Sequence, residues 1–423
     1  MDLNWANLRI LNGSQRESFE ELCSQLAREE APEEAEFVRK GSPDSGVECY
    51  CRFENGQEWG WQAKFFLPSL GQTQWNQLDR SVERALEAHP NLVRYFVCAP
   101  RNRSDGRREG ITTEMQRWET QVAKWEGWAV DRGMAVEFVW WGSSELIDLL
   151  SQESNGGRSL FWFGATGQFS SEWFDKHLRR AIEAAGPRYT PEVHVDVPLL
   201  EDLELFGRSD FACSAVRDVA KNIRQTPTYM LRRLAGEDAT TELAAAESVA
   251  ESVENVVEAL YDMRCPPNDE WPFSEVIDGI RDARNLLGES EAPLSDAAEE
   301  FKQRNNAEKS SPATQSNPYS EAAYQVRALE RVLWGAFDTL WGFDQVVNSN
   351  LMVITGKAGS GKTHLLCDMA KRRLADRRPT VVLMGQQFTT TDPPWMQARA
   401  QLDLGDISLE HFVGALEAAA QAA

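Results

Sequence analysis

The feature that most constrains this chain is a glycine-rich loop that begins at residue 356. Residues 356–363 read Gly-Lys-Ala-Gly-Ser-Gly-Lys-Thr and match the pattern GxxxxGK[ST] in full. An apolar run precedes the loop and an amphipathic stretch follows it, so we expect a strand at 351–355 and a helix at 363–375. Glycines let successive backbone N–H groups turn inward around a phosphate, and the helix dipole adds to this attraction. The pattern therefore predicts a P-loop, a site for nucleotide phosphates.

The side chains of this loop have distinct predicted roles. We expect Lys362 to bridge the β- and γ-phosphates of ATP, and the hydroxyl of Thr363 to ligate Mg²⁺. His364 lies either near the nucleotide or on the helix surface. The predicted nucleotide-binding residues are Gly356, Lys357, Ala358, Gly359, Ser360, Gly361, Lys362, Thr363 and His364.

The acidic strand that a P-loop ATPase needs is not found after the loop. The run at 380–384 predicts a strand, but it ends at Gly385, and the later aspartates do not follow a strand of apolar residues. One or two strands cannot form a parallel sheet that is covered on both faces. We therefore expect the sequence to end inside its nucleotide-binding domain, to bind nucleotide weakly and to hydrolyse it poorly.

Composition indicates a globular protein of the cytoplasm. A length of 423 residues predicts two or three domains. No apolar run approaches the roughly 20 residues that span a bilayer, and the N-terminus lacks the pattern of a signal peptide. The seven cysteines are an odd number without a C-x-x-C pair, which favours a reducing compartment. A net charge of −22 argues against passive adhesion to nucleic acid, although it does not exclude a local basic site.

The predicted fold class is α/β, with three regions along the chain. Residues 1–165 alternate helices with strands and predict an α/β/α layered domain around one sheet, in which Asn55-Gly56 joins the first two strands as a hairpin. Residues 166–345 predict a helical connector that includes an acidic, polar linker at 289–318, and 346–423 begin the P-loop domain. Within the first region we expect helices at 14–30, 72–88, 112–132 and 143–150 and strands at 47–53, 58–66, 92–99 and 135–141.

The predicted hairpin carries a candidate hydrolytic site. Glu48 lies on its first strand, and Gln62 and Lys64 lie two residues apart on the second, where alternation gives them a shared face. A carboxylate and an amide oxygen can hold Mg²⁺, and a lysine can orient or help deprotonate a water that attacks a phosphodiester. The alternative interpretation is an amphipathic hairpin with Gln and Lys at its surface.

Three short motifs in this region together resemble those of Mrr-like restriction endonucleases, a PD-(D/E)xK family. They are Ser18-Phe-Glu-Glu21 on the opening helix, Asp44-Ser-Gly-Val-Glu48 in a turn and Trp61-Gln-Ala-Lys64 on a strand. The resemblance implies a restriction-endonuclease-like domain with Glu48 as the main metal carboxylate, Gln62 as a further ligand and Lys64 as the catalytic lysine. It implies a supporting role for Glu20. Asp44 is the fallback metal ligand, because Glu48 stands where the family more commonly has aspartate.

Combined with the P-loop, these motifs make the chain resemble the antiviral STAND NTPases of the Avs group of bacterial defence proteins. The resemblance implies an N-terminal nuclease effector, a central ATPase and a C-terminal repeat sensor that this sequence lacks. It implies that the sensor binds a phage protein, that the ATPase drives homo-oligomerisation, and that the clustered nucleases cut double-stranded DNA. The implied cofactors are Mg²⁺ and ATP, and no membrane is involved.

Two other functions fit the same residues. In the first, the Mrr-like domain only binds DNA or oligomerises, and the P-loop acts as a nucleotide switch. In the second, a regulatory ATPase carries an unrelated α/β domain that binds a partner. Convergence of Glu48, Gln62 and Lys64 around one gap favours the nuclease, whereas a Lys64 that points into the core or away from Glu48 contradicts it.

Overall fold

The computed structural model describes residues 3–41, 45–67, 70–105, 112–164, 167–193, 198–226, 228–235, 240–266, 270–307 and 317–423. The chain is α/β, as the sequence predicts. It divides into two compact units, of which unit 1 comprises Met1–Tyr189 with Leu366–Ala423 and unit 2 comprises Thr190–Leu365. No helix within the described ranges is both long enough and apolar enough to cross a membrane.

Unit 1 is built on a mixed sheet. Its strands lie side by side in chain order, with β1, β2 and β3 antiparallel and β3, β4 and β5 parallel. The strands are β1 (Glu36–Arg39), β2 (Cys49–Arg52), β3 (Glu58–Ala63), β4 (Leu92–Cys98) and β5 (Glu137–Trp141). The four strands predicted for this region are confirmed with slightly shorter bounds, whereas β1 was not predicted.

The hairpin between β2 and β3 follows from its turn. Gly56 has a φ of +83°, a conformation that costs glycine little and other residues more. The Asn55 side chain accepts a hydrogen bond from the Gln57 backbone N–H at 2.9 Å. This turn sets a register in which Cys49 pairs with Trp61.

Helices cover both faces of the sheet. Because strand side chains alternate, Cys49 and Trp61 join the core on one face with Phe19, while Tyr95 joins the core on the other face with Trp75. This arrangement is the α/β/α layering that the alternation of elements predicts. The helices up to residue 185 are α1 (Gln15–Glu30), α2 (Gln72–Ala88), α3 (Glu114–Val130), α4 (Ser143–Leu150), α5 (Gly156–Phe163) and α6 (Ser171–Ala185).

Unit 2 is helical with its own apolar core. Its helices are α7 (Leu199–Phe206), α8 (Asp210–Arg224), α9 (Tyr229–Ala235), α10 (Thr241–Asp262), α11 (Phe273–Ala307) and α12 (Pro318–Val347). The linker predicted at 289–318 is wrong over 289–307, where α11 continues because Leu294 and Ala298 are buried on its packed face. Residues 308–316 of that prediction lie outside the described residues.

The last part of the chain contains α13 (Lys362–Ala375), α14 (Pro394–Gln401) and α15 (Leu409–Gln421). The strands predicted at 351–355 and 380–384 are wrong, since neither segment is a strand. Leu351 and Val353 are 75% and 72% exposed. Within the described residues no strand pairs with either segment, and an isolated strand leaves its backbone groups to solvent.

Within unit 1, α15 packs closely on α5. A Cβ placed on Gly157 would lie 2.6 Å from the backbone of Gly414 and Ala415, a distance that backbone atoms do not tolerate. Glycine at this crossing therefore allows the two helices to touch through their backbones. Gln25 of α1 adds a hydrogen bond to the Ala418 carbonyl at 3.1 Å.

Candidate active site

Three of the predicted catalytic side chains converge at one end of the sheet. The Gln62 Nε2 donates a hydrogen bond to Glu48 Oε1 at 2.5 Å, and Lys64 Nζ lies 3.8 Å from the same oxygen. Gln62 is fully buried, whereas the side chains of Glu48 and Lys64 keep 17% and 13% of their surface exposed. The arrangement thus offers a carboxylate, an amide and an ammonium group around one partly open point.

Backbone pairing fixes the positions of these residues. The Glu48 N–H donates to the Trp61 carbonyl at 2.8 Å just before β2 begins, and the Lys64 N–H donates to the Cys98 carbonyl at 2.9 Å just after β3 ends. Gln62 lies between them on β3, two residues before Lys64, and therefore shares its face. Local strand geometry, rather than loop conformation, brings the three side chains together.

The turn before Glu48 is held against helix α2 by a glycine. Gly46 has a φ of +87°, and a Cβ there would lie 2.1 Å from the Ser81 carbonyl oxygen. The buried Tyr95 hydroxyl donates to the Gly46 carbonyl at 2.7 Å. This close approach accounts for the glycine of the Asp44–Glu48 motif. Asp44 itself lies outside the described residues, so its role as fallback ligand stays a prediction.

A cavity of about 560 Å³ opens beside Glu48 and contains the predicted helix acid. Glu20 lines this cavity from α1 and accepts a hydrogen bond from Arg16 Nε at 2.8 Å. Its neighbour Glu21 is buried and pairs with Arg39. Burial raises the pKa of Glu21, although the charge of Arg39 opposes this effect. Four glutamates and three cations therefore line this side of the candidate site, and two of the glutamates are paired with two of the cations.

The donor set fits Mg²⁺ in one orientation of the amide. Among the described residues, no group of three or more His, Cys, Asp and Glu side chains could hold a metal ion. Mg²⁺ commonly binds through one or two protein oxygens and otherwise keeps water or phosphate oxygens. Glu48 supplies one such oxygen, and Gln62 supplies a second if its amide turns so that Oε1, rather than Nε2, faces the ion.

Two glycines of the glycine-rich loop at 356–363 lie in the left-handed region of backbone conformation. Gly359 and Gly361 have φ values of +78° and +85°, and α13 begins at Lys362. Lys362 Nζ donates to the carbonyls of Gly356 at 2.7 Å and Lys357 at 2.9 Å. The ammonium group is thus held by the loop carbonyls. These contacts place a full positive charge beside the N-terminal end of α13.

The other residues of the loop are mostly exposed. Ala358 and Ser360 are exposed, and Thr363 is half-buried at the second position of α13. His364 Nδ1 accepts a hydrogen bond from the Thr190 N–H at 3.3 Å. His364 therefore has a hydrogen-bond partner within unit 2, to which both residues belong. Its predicted role near the nucleotide stays a prediction.

A buried polar network around His89 is not indicated by the sequence. The Nδ1 of His89 lies 2.6 Å from Glu58 Oε2, and Lys40 Nζ lies 2.7 Å from its Nε2. In this arrangement the ring is neutral, with its hydrogen on Nδ1 and its Nε2 accepting from Lys40. Burial lowers the pKa of His89, and the charge of Lys40 acts in the same direction. No local signal could identify this network, since its members come from separate elements.

The chain was compared with protein-family models, with curated proteins and with solved structures, and none of the three comparisons found a match.

Proposed function

We propose that this chain is a Mg²⁺-dependent DNA endonuclease effector joined to the ATP-binding part of a STAND module, in an antiphage defence protein of the Avs group. In this proposal unit 1 carries a restriction-endonuclease-like nuclease, and the P-loop belongs to the oligomerising ATPase. In this proposal a phage protein acts through a C-terminal sensor. The observation that supports the proposal is the convergence of Glu48, Gln62 and Lys64.

The chemistry of the proposed nuclease follows from these three groups. Lys64 donates to the attacking water and holds it in line with the phosphorus. Glu48 and the Gln62 amide oxygen would bind Mg²⁺, which supplies positive charge to a phosphate oxygen. Glu20 lines the adjoining cavity, pairs with Arg16 and adds negative charge beside the proposed metal site. Hydrolysis forms a bond between the water oxygen and phosphorus and breaks the bond between phosphorus and one of its bridging oxygens, and the proton that the water loses is balanced by the one that the departing oxygen takes up.

The proposed control by nucleotide follows from Lys362. Its ammonium group donates to two carbonyls of its own loop, at 2.7 and 2.9 Å. The β- and γ-phosphates of ATP would replace these carbonyls as partners, because charge-assisted hydrogen bonds to phosphate are the stronger contacts. Thr363 would then ligate the Mg²⁺ that accompanies ATP. Binding of ATP would therefore reorganise the loop around the lysine.

Plasmid nicking tests the proposal. The full chain is incubated with supercoiled plasmid in Mg²⁺ and in EDTA, both free and held together by a bivalent antibody against a terminal tag. We expect Mg²⁺-dependent nicking that requires clustering, because a chain of net charge −22 captures DNA poorly as a single copy. No nicking by the clustered protein, or equal nicking in EDTA, would reject the nuclease. Cleavage per molecule that does not fall on dilution would reject control by clustering.

A second candidate function is a non-catalytic scaffold that binds DNA or oligomerises, with the P-loop as a nucleotide switch. The observation that favours it is the hydrogen bond from the Gln62 amide nitrogen to Glu48, which satisfies the carboxylate without a metal. The scaffold predicts binding of DNA by the clustered protein without cleavage in any divalent ion. The same plasmid assay, read together with a binding measurement, separates the two functions.

A further inference from the structure

A second cavity, of about 330 Å³, lies on the lysine side of the candidate site and is lined by four cations and no acid. The cations are Arg16, Lys64, Arg80 and Arg84, and the floor includes Phe66. Arg16 and Lys64 pair with Glu20 and Glu48, which lie outside this lining, so the net positive charge of the cavity comes from Arg80 and Arg84, a local exception in a chain of net charge −22. A cavity of this kind attracts a polyanion that the rest of the surface repels.

Arg80 and Arg84 form the wall of this cavity on α2. They lie four residues apart and therefore on one face of the helix, about 6 Å apart along its axis. Both are exposed, and neither forms an ion pair with another described residue. Asp79, the nearest acid in sequence, already accepts hydrogen bonds from Lys124 and the Trp125 indole at 2.8 Å.

The two remaining acids of this part of α2 do not line the cavity. Glu83 and Glu87 are absent from the lining of the cavity, although each lies three residues after one of the two arginines and therefore on a neighbouring flank of α2. The guanidinium groups of Arg80 and Arg84 therefore face the cavity without an acidic neighbour in its wall. Guanidinium groups bind phosphate oxygens in a fork geometry and stay charged at any physiological pH.

Two residues of this cavity also belong to the candidate active site or to the cavity beside it. Lys64 lines it and lies 3.8 Å from Glu48, while Arg16 lines both this cavity and the acidic one beside Glu20. The side that carries Glu48 would hold the divalent cation of the proposed nuclease, and the basic side suits the phosphates that flank the bond to be cut. Lys64 lies at the boundary between the two sides.

We propose that this basic groove, formed by Lys64, Arg80 and Arg84 with Arg16, binds the phosphate backbone of one strand of a DNA duplex and leads it to Glu48 and Lys64. The proposal rests on the proposed nuclease function and names the surface by which its substrate is held. The spacing of the two arginines spans about two nucleotides of one strand, at 3.4 Å per nucleotide along the duplex axis. Arg80 and Arg84 are binding residues in this proposal and do not take part in the chemistry.

The test is the salt dependence of DNA binding by the full chain. Binding of a short labelled DNA duplex, by protein clustered with the same bivalent antibody, is measured by fluorescence anisotropy in EDTA, which prevents cleavage, between about 50 and 200 mM salt. The variants are Arg80→Ala/Arg84→Ala and the charge-conserving Arg80→Lys/Arg84→Lys. The control is Arg132→Ala/Arg179→Ala, which removes two exposed arginines of unit 1 that do not line the groove.

We expect the alanine pair at 80 and 84 to weaken binding by roughly 10- to 100-fold at the lowest salt and to reduce the slope of log K against log salt by about 1.8, since each phosphate contact contributes about 0.9. The lysine pair and the control should keep the wild-type slope. No binding by the wild type, an unchanged slope in the alanine pair, or an equal loss in the control would overturn the proposal. An RNA duplex that binds more tightly than DNA would overturn the choice of DNA.

The outcome separates this proposal from the nuclease proposal. A protein that binds DNA through Arg80 and Arg84 but never nicks it keeps the groove and rejects the nuclease. A protein that nicks DNA while the alanine pair binds like wild type keeps the nuclease and rejects the groove. Melting temperatures of all variants, measured alongside, should match that of the wild type, because exposed positions tolerate these substitutions.

Discussion

Replacing the Gln62 amide by a carboxylate tests directly whether the candidate site binds a metal. Gln62 is fully buried, and its Nε2 donates to Glu48 Oε1 at 2.5 Å. The variant Gln62→Glu keeps the shape of the side chain but places two carboxylates in contact. Without a metal they repel each other, whereas a divalent ion between them would turn the repulsion into coordination.

The expected loss of stability in Gln62→Glu follows from the distance between the two carboxylates and from the cost of protonating one of them. Two ionised carboxylates about 4 Å apart repel by about 4 kcal/mol at an effective dielectric constant of 20, and Lys64 at 3.8 Å offsets part of this. Protonation of one carboxyl limits the cost to about 3.7 kcal/mol at pH 7 and about 1 kcal/mol at pH 5, for an ordinary pKa near 4.3 and about 1.36 kcal/mol per pH unit. The folded state raises the pKa of the pair, so stability is present at low pH and is lost as pH rises.

The assay is the melting temperature of the full chain at pH 5 and pH 7, with and without Mg²⁺. We expect Gln62→Glu to melt several degrees below wild type at pH 7 and to recover most of this loss at pH 5. Mg²⁺ at about 100 times its dissociation constant should restore about 2.7 kcal/mol at pH 7. Gln325→Glu is the matched control, because the buried Gln325 Nε2 donates to Glu321 at 3.1 Å on α12, away from any candidate site.

Equal responses of the two variants to Mg²⁺ would refute the assignment of Glu48 and Gln62 as metal ligands. A Gln62→Glu variant as stable as wild type at pH 7 without metal would refute the geometry, since the two carboxylates would then lie apart. Recovery at pH 5 without recovery in Mg²⁺ would keep the geometry and reject the metal.

Three further predictions concern the nucleotide, pH and packing. Lys362→Ala should abolish binding of a fluorescent ATP analogue, because Lys362 supplies the positive charge that contacts the β- and γ-phosphates. Equal affinity would reject the P-loop assignment. The control is Lys371→Ala, which removes an exposed lysine of the same helix. Because the pKa of His89 is lowered in the folded state, its contribution to the free energy of unfolding is present above about pH 6.5 and is lost as pH falls. The melting temperature of His89→Gln should therefore fall less on acidification than that of the wild type. An unchanged pH profile would contradict this. Gly157→Ala should lower the melting temperature, because its Cβ would lie 2.6 Å from the backbone of α15. A Cβ at Gly127 would meet no atom within 4 Å, so Gly127→Ala should raise the free energy of unfolding by about 0.5–1 kcal/mol. The reverse order of stabilities would contradict the packing of α5 and α15.

The sequence predicts the regular elements of unit 1 because their signals are local. The Asn55-Gly56 turn, the apolar strands and the helix bounds at Gln72–Ala88 and Ser143–Leu150 agree with the structure. β1 was missed because its four residues, Glu36–Arg39, are too short and too exposed to show an alternating pattern. An element is therefore predictable when the pattern that specifies it lies within a few residues, as it does for these helices and strands but not for β1.

Errors arose where tertiary packing outweighs composition. The acidic stretch that follows Leu287 reads as a linker, yet Leu294 and Ala298 continue the apolar stripe of α11 against α12 and keep it helical. The apolar run at 351–355 reads as a buried strand, yet a strand needs neighbours, and Leu351 is 75% exposed. Composition alone therefore predicts a linker at 289–307 and a strand at 351–355 that the packing of the chain does not allow.

The candidate site was predictable only in part. Alternation along a hairpin suffices to place Gln62 and Lys64 on one face near Glu48, because that geometry is local. The groove residues Arg80 and Arg84 were not predictable, since only the packing of α2 against the sheet brings them beside Lys64. The pairing of His89 with Lys40 likewise joins residues 49 positions apart.

The most direct measurement of the central claim is the Mg²⁺-dependent nicking rate of clustered wild type, Glu48→Ala and Lys64→Ala, each with its melting temperature recorded. The controls are Glu153→Ala and Lys302→Ala, which remove exposed residues of the same types away from the site. Glu48→Ala should lose about 1–2 kcal/mol of stability, because it removes the hydrogen bond that the Gln62 amide donates to Glu48. Both site variants should stay folded and nick about 10²-fold or more slowly than wild type, while the controls nick normally. Folded site variants that nick at the wild-type rate would contradict the account.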